Sequence, residues 1–497
     1  MKRFLLLLLS LIVFSACFLA ACDCEKAKET SAAVSGGEDA FPYSGYFDGK
    51  TIQIFTVSTA RHPYGELQFA PNSELAGNYI NDAVAKRNNK IEELYGLKIK
   101  VSSANNPVQE ARNMIMSDLC EYDIIVDSVD NMVTSVTDNL FWSLDDLLDL
   151  DNKWWDKSSI DSLTLNDKHY FVAGDALITD DDNIYLTLFN KKMYAENSSL
   201  QGTYGDIYQL VRDGKFTYDV FYQMCKVVSH PDDNGEWGFY ATYGNLSHAY
   251  GATIMVNGAG IALASKNEDG TVTLNPGTER AITVFDKVYQ IMSDKSVTQR
   301  AELIIGQGTK TSKYGFAELE AMFESGRGLF YNTTSSSITL LKQSKTNRDF
   351  DFGVLPIPKY DENQENYYCA VNRYQSAVIG IPITNDENLE ATAFLLEALG
   401  YYSKEVTEAY YKITLQLQAV TEDNDADMLD IIYSSRFYDI GAIYGWGNPT
   451  GLNLVGLYSY VIANDSENTV VSTWDSIKDS VEESMQRTIE AYRNNLT

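Results

Sequence analysis

Histidine is scarce in this 497-residue chain, with only His62, His169, His230 and His248. They are scattered, with no HxH or HExxH spacing, which argues against a zinc centre. Cysteine is sparse too, 6 in all, with no CxxC and no Cys/His spacing. Cys17 belongs to the amino-terminal signal, and Cys22 and Cys24 to the tether that follows it. Cys120, Cys225 and Cys369 remain, an odd number that reads as buried apolar thiols rather than a disulfide framework. Basic residues are outnumbered, 39 against 69 acids, for a formal charge of −30. Without a basic footprint, nucleic acid is excluded as a partner, while the acidity suits solubility. GxSxG is missing, so no serine nucleophile elbow is expected. Lone Gly-x-Gly fragments between Gly235 and Gly260 lack both the strand–GxGxxG–helix unit and the Walker lysine of a nucleotide loop. No cofactor and no metal is expected.

What the chain does have is size, a leader and ordered secondary-structure signals. Its length exceeds the roughly 250–300 residues at which one core stops growing, so two lobes are expected. Hydrophobic content of 44% with 12% aromatic, including 33 tyrosines, is that of a globular protein. Lys2 and Arg3 precede an apolar run from Phe4 to Phe14 and then small residues, the layout of a secretory signal. The run is too short to span a bilayer comfortably. It ends in Leu19-Ala20-Ala21-Cys22, which resembles a bacterial lipobox; Phe14-Ser15-Ala16-Cys17 is a weaker second match. The resemblance implies cleavage after residue 21, a diacylglyceryl group on Cys22, and a protein anchored to the cell membrane facing outward. Residues 22–47, polar and Gly/Ser-containing, read as a flexible tether.

The first lobe opens with Thr51–Val57 (TIQIFTV), an alternating β-branched stretch that predicts a strand. Ile80, Ala83, Val84, Ile91 and Leu94 fall at helical spacing, closed by Gly96 as a C′ residue. Leu97–Val101 predicts a second strand. Asn106 and Pro107 predict N-cap and N1 of a helix whose apolar face is Val108, Ala111, Ile115 and Leu119. Tyr122–Val126 then predicts a buried strand followed by polar residues, and ligands of open α/β sheets bind beyond the carboxyl ends of such strands. The order βαβαβ builds a parallel sheet with right-handed crossovers.

These segments, NYINDAVAKRNNKIEELYGLKIKV, YDIIVDSVDN, WWD, DKHYFVAGD and FNKKMY, resemble the family 1 extracellular solute-binding proteins of ABC importers. These are the relatives of maltose-binding protein, and especially the lipid-anchored kind from Gram-positive bacteria. No single motif carries the resemblance; order and spacing over roughly residues 50 to 490 do. It implies a two-lobed type II periplasmic-binding-protein-like α/β fold, each lobe a mostly parallel sheet flanked by helices. Lobe 1 is expected at 48–177 plus 374–415, and lobe 2 at 178–373 plus 416–497, joined by a multi-strand hinge. Asp175 and the run Thr179 to Asn183 mark the first crossing. That run hints at a calcium loop, but the EF-hand glycine and closing Glu are missing, so a solvated turn is expected. Phe216 stands where the family usually has Trp, a conservative change in packing. Asn267–Asn275 predicts a hairpin turning at Asp269-Gly270. Ser376–Ile383 predicts the return strand, and Ile477, Val481, Met485, Ile489 and Tyr492 a closing helix.

Sugars present apolar ring faces and rims of hydroxyls, which call for flat aromatics and planar polar groups. By position along the fold and by the resemblance, the first-lobe candidates are Arg61, His62, Asp127, Asp130 and Asp175. From the second lobe come His248, Tyr250, Tyr331, Asn332, Tyr444 and Trp446. Core packing or loop capping is the competing role for each, and it is the expected one for Trp154 and Trp155. The function implied is capture of a carbohydrate, an oligosaccharide above all, by a monomer that closes about its hinge and docks on two permease subunits. Two alternatives stand beside it: a surface glycan- or peptide-binding lipoprotein with no transporter, and a secreted glycan-active enzyme, which would also place carboxylates among aromatics.

Overall fold

A computed structural model describes residues 40–344, 348–412, 415, 423–464 and 467–494. The residues from Tyr43 onward make one compact unit. The signal sequence, Cys22 and most of the expected tether lie outside the described residues. The described residues include the end of that expected tether. Tyr43 accepts a hydrogen bond from Asn152 at 2.8 Å, and the rings of Phe47 and Phe394 stand 5.1 Å apart.

The first sheet is the expected one. Strands Lys50–Val57, Leu97–Ala104 and Ile124–Ser128 are mutually parallel, with the first in the middle. The return strand Ala377–Gly380 adds antiparallel to Ile124–Ser128. The helix Tyr79–Tyr95 is capped at its start by Asn78 and ends at Gly96, whose φ of 64° is the left-handed value a C′ glycine supplies. The next helix, Pro107–Met116, stops short of Leu119, which is exposed.

The second sheet is mixed. Its order is Phe352–Leu355, Tyr185–Asn190, Gly328–Thr334, Tyr243–Ser247 and Thr298–Arg300. The first two pairings are antiparallel and the last two parallel. Across it runs a buried polar ladder. Thr187 Oγ1 donates to Asn332 Oδ1 at 2.9 Å, Asn332 Nδ2 to Asn245 Oδ1 at 2.6 Å, and Asn245 Nδ2 to Thr298 Oγ1 at 3.1 Å. Every member has a partner, which is the condition under which buried polar groups stabilise rather than cost. Phe216 is fully buried against Phe221 and Phe330, a packing role as expected. The hairpin Ala264–Lys266 with Val272–Leu274 forms around Gly270 at φ 80°.

Three chain crossings lie side by side between the sheets. Ile184 bridges Val371, and the two-residue strand Cys369–Ala370 pairs in parallel with Arg436–Phe437. The last helix, Val470–Asn494, reaches both lobes instead of belonging to the second alone. It packs on the second-lobe helices Glu279–Ser293 and Leu457–Asn464, and it also meets Val136–Asp138 of the first. Among the described residues no helix is long and apolar enough to cross a membrane, and no group of three potential metal ligands occurs. Cys120, Cys225 and Cys369 are free thiols, the last two buried.

Replacing Asn332 by Ala strands Asn245 Oδ1 and Thr187 Oγ1 in the sheet interior, so denaturant unfolding is expected to show a loss of about 1–3 kcal/mol. A loss below a few tenths would mean the ladder contributes little.

Candidate functional site

The carboxyl ends of the parallel strands from both sheets face one another, and the side chains just beyond them form the candidate site. Arg61 follows Lys50–Val57, and its guanidinium is held at four points. Nη1 donates to Asp127 Oδ1 at 2.6 Å and to Asn105 O at 2.8 Å; Nη2 donates to Ser128 Oγ at 2.6 Å and to Tyr374 O at 3.2 Å. Asp127 is fully buried and also accepts from the Ser128, Val108 and Asn131 nitrogens. Its role here is to aim Arg61, since its oxygens are spent. Asp130 is reachable, with Oδ1 taking the Ser128 hydroxyl at 2.7 Å.

Along this face runs a row of rings drawn from the crossing and from lobe 2. Tyr374 meets Tyr250 edge-on at 6.2 Å, Tyr250 stacks with His248 at 6.1 Å and 11°, and His248 meets Phe316 edge-on at 5.3 Å. Tyr314 extends the row beyond Phe316 at 6.2 Å, and Tyr185 lies beneath Tyr250. Tyr374, Phe316 and Tyr314 are 45%, 47% and 57% exposed, so the row offers open ring faces. Burial keeps the His248 imidazole neutral by lowering its pKa to about 4. Beside the rings stand the guanidinium of Arg61 and the carboxylate of Asp130. Flat apolar faces flanked by planar polar groups are what a pyranose ring requires.

Of the eleven expected residues, Arg61, Asp127, Asp130, His248 and Tyr250 are thus brought together. The other six are placed elsewhere. Tyr331 is buried against Phe323, and Asn332 is a rung of the ladder. Tyr444 and Trp446 stack on each other at 5.2 Å beneath the last helix. The Trp446 indole donates to Thr488 Oγ1 at 3.0 Å, and the Tyr444 hydroxyl donates to Leu163 O at 2.9 Å. The Gly445 turn, at φ 58°, is what brings both rings to that side. His62 is buried in the hinge, where Nδ1 accepts from Tyr64 N at 3.2 Å and Nε2 lies 3.5 Å from Asp182 Oδ2. Tyr374, Phe316 and Tyr314 escaped the sequence reading, since single aromatics in loops carry no periodic signal. Tyr374 lies just before the predicted return strand Ser376–Ile383, whereas Tyr314 and Phe316 follow no predicted strand.

Asp175 and the run 179–183 are also in the hinge, and the expected solvated turn is instead a buried one. Ile178–Asp181 is a short helical turn whose amides at Ile178 and Thr179 both donate to Gln68 Oε1. Arg436 binds the cluster from the third crossing. Nη1 stands 2.9 Å from Asp181 Oδ1 and 3.7 Å from Asp180 Oδ2, and Nη2 stands 3.1 Å from Asp156 Oδ2. The Tyr438 hydroxyl donates to Asp180 at 2.6 Å, and that of Tyr410 to Asp182 at 2.5 Å. One guanidinium does not offset so many buried carboxyls. Burial, with Asp181 nearby, raises Asp175 to about 7; burial, with Asp156, raises Asp180 to about 8; burial raises Asp182 to about 7. His62 moves the other way, lowered by burial and Arg61 to about 4.

The signs of the linkage are opposite. A carboxyl raised above its ordinary value binds an extra proton in the folded form, so its contribution is lost as pH climbs from about 4 through 7–8. His62 and His248, lowered from 6.5, cost stability only as pH falls below that value. Between pH 6.5 and 8 the raised aspartates set the sign. The melting temperature is expected to fall across that window, and Asp180→Asn to flatten the fall. A melting temperature that rises there contradicts the assignment.

No protein-family model matches the chain, and no curated protein matches it in sequence. Solved structures do. The cyclic α-maltosyl-1,6-maltose binding protein of Arthrobacter globiformis superposes with a TM-score of 0.55 at 12% identity, over 89% of this chain and 99% of its own. The ABC substrate-binding protein of Listeria monocytogenes in complex with cycloalternan gives 0.53 at 12%, over 88% and 100%. The maltose/maltodextrin-binding domain of Bdellovibrio bacteriovorus bound to maltotriose gives 0.52 at 14%, over 88% and 100%. The chain therefore has the two-lobed α/β fold of these solute-binding proteins.

Proposed function

We propose that this protein is a non-enzymatic, lipid-anchored receptor that captures an oligosaccharide between its lobes and passes it to an ABC importer. The observation that carries the reading is the row Tyr374–Tyr250–His248–Phe316–Tyr314, flanked by Arg61 and Asp130 at the facing strand ends of both sheets. The glycans bound by the three similar structures support the choice of ligand class. Three adjacent crossings form a hinge, and hinge closure around ligand is how periplasmic binding proteins work. A saccharide that touches both lobes only when they are closed shifts the population by its differential affinity. The closed monomer then docks on two permease subunits served by a separate ATPase. Cys22 carries the lipid that holds the receptor outside the cytoplasmic membrane.

A thermal-shift screen across oligosaccharides, maltotriose among them, is expected to show ligand-dependent stabilisation by mass action. For any hit, Tyr250→Ala and Phe316→Ala are each expected to weaken binding about tenfold, from lost stacking worth about 1 kcal/mol plus buried ring area. Affinity unchanged in both variants removes the row from the site. For the anchor, Cys22→Ser is expected to release the protein from the cell and to abolish incorporation of radiolabelled lipid; a variant that stays labelled and cell-bound contradicts it.

A further inference from the structure

The crossing that presents Tyr374 also carries a second arginine into the cleft, and among the described residues this one has no counter-charge. Arg373 is 8% exposed, its Nε is buried without a hydrogen-bond partner, and it joins no ion pair among the described residues. Its guanidinium is placed by packing alone. It lies over the Tyr374 ring, 5.3 Å from the centroid, and against the bare Cα of Gly445. A Cβ at Gly445 would come within 2.4 Å of Nη1, and the φ of +58° independently selects glycine there. Arg373 shares with Tyr250, Val129, Asn257, Tyr438 and Asp439 a void of about 10 Å³ between the lobes, the space of a single water.

The carboxylates nearby are already engaged. Asp439 accepts from Leu263 N at 2.7 Å, Asn257 Nδ2 at 2.8 Å, Gly441 N at 2.9 Å, Ala442 N at 3.2 Å and Ala264 N at 3.4 Å. Asp130 takes the Ser128 hydroxyl and its amide donates to Arg373 O at 3.2 Å, but among the described residues its carboxylate forms no ion pair with Arg373. The other cleft cation, Arg61, is neutralised by Asp127 at 2.6 Å. In a chain of formal charge −30, an inter-lobe arginine whose Nε is buried and unsatisfied and which joins no ion pair among the described residues stands out. A buried charge is costly unless something pairs with it, and a planar guanidinium pairs best with a carboxylate or another oxyanion presented two oxygens at a time.

Resting on the reading of this cleft as a saccharide site, we infer that the saccharide is acidic. A sugar bearing a carboxylate or a sulfate ester stacks on Tyr250 and Tyr374 and places its oxyanion on Arg373 when the lobes part and re-close. Arg61, with Asp127 behind it, is left for neutral hydroxyls.

Calorimetric titration of the full chain tests this with matched probes: trigalacturonate against its neutral galactose trisaccharide, and a sulfate monoester of that trisaccharide against the same neutral parent. The acidic member of at least one pair is expected to bind tenfold or more tightly than its neutral counterpart, and the two pairs distinguish carboxylate from sulfate. Arg373→Gln, which keeps donors but drops the charge, is expected to erase that preference, and Arg373→Lys to restore part of it. Without ligand, Arg373→Gln is expected to melt at or above the wild-type temperature, because a half-satisfied arginine with no ion pair has been removed. A lower melting temperature with the acidic preference intact assigns Arg373 a structural role and overturns the inference. Neutral binding that is lost in Tyr250→Ala but indifferent to Arg373→Gln also overturns it, and leaves the saccharide reading standing. Binding of no saccharide of either charge overturns both.

Discussion

The arrangement of the two lobes depends on the way Arg436 gathers aspartates from otherwise separate segments. Asp156 begins the first-lobe helix Lys157–Leu163, Asp180 and Asp181 sit on the outgoing crossing, and Arg436 is on the third. The pair strand Cys369–Ala370 with Arg436–Phe437 locks the second crossing to the third in the same place. Removing one partner from a buried ionic set is far more damaging than never having had it, so the cluster works as one unit. Its surplus of acid also makes it responsive, since protons and the single guanidinium compete for the same carboxyls.

The cleft inherits its geometry from that hinge. Tyr374 and Arg373 stand between Val371, which bridges Ile184, and the return strand Ala377–Gly380, so both are fixed by the crossing rather than by a free loop. Arg61 reaches the same segment through Tyr374 O, which ties the end of the first strand to the second crossing. On the other side, Tyr250 and His248 follow Tyr243–Ser247, whose position is set by the Asn245 rungs of the polar ladder. A rigid sheet on each side and an ionic joint between them are parts that the proposed hinge closure would use.

The sequence made the first lobe legible because its signals are local. Alternation in Thr51–Val57, helical spacing from Ile80 onward and the Gly96 stop all act within a few residues, and the elements formed where those patterns lie. It mispredicted places where the deciding partner is far away. Asp180, Asp181 and Asp182 read as a solvated turn since Arg436, some 250 residues on, cannot be seen from their composition. His62 looked like a cleft residue until Asp182 and Asn183 enclosed it. Tyr444 and Trp446 were drawn inward by Thr488 and Tyr492 of the last helix, which was recognised as a helix but not as a cover for those rings. Asn332 was captured by Thr187 and Asn245 from neighbouring strands. Polar residues read from sequence as ligand contacts and as ladder rungs are chemically alike; register alone separates them.

If the lobes close on a saccharide, the inter-lobe distance reports that closure most directly. Spin labels at Leu94 in the first lobe and Val227 in the second, both exposed and both away from the cleft, report that distance without touching the site. Adding a saccharide hit is expected to move the distance distribution from a broad open population to a narrower closed one, with a midpoint equal to the calorimetric affinity. A distribution that stays fixed at saturating saccharide would contradict closure as the mechanism of capture.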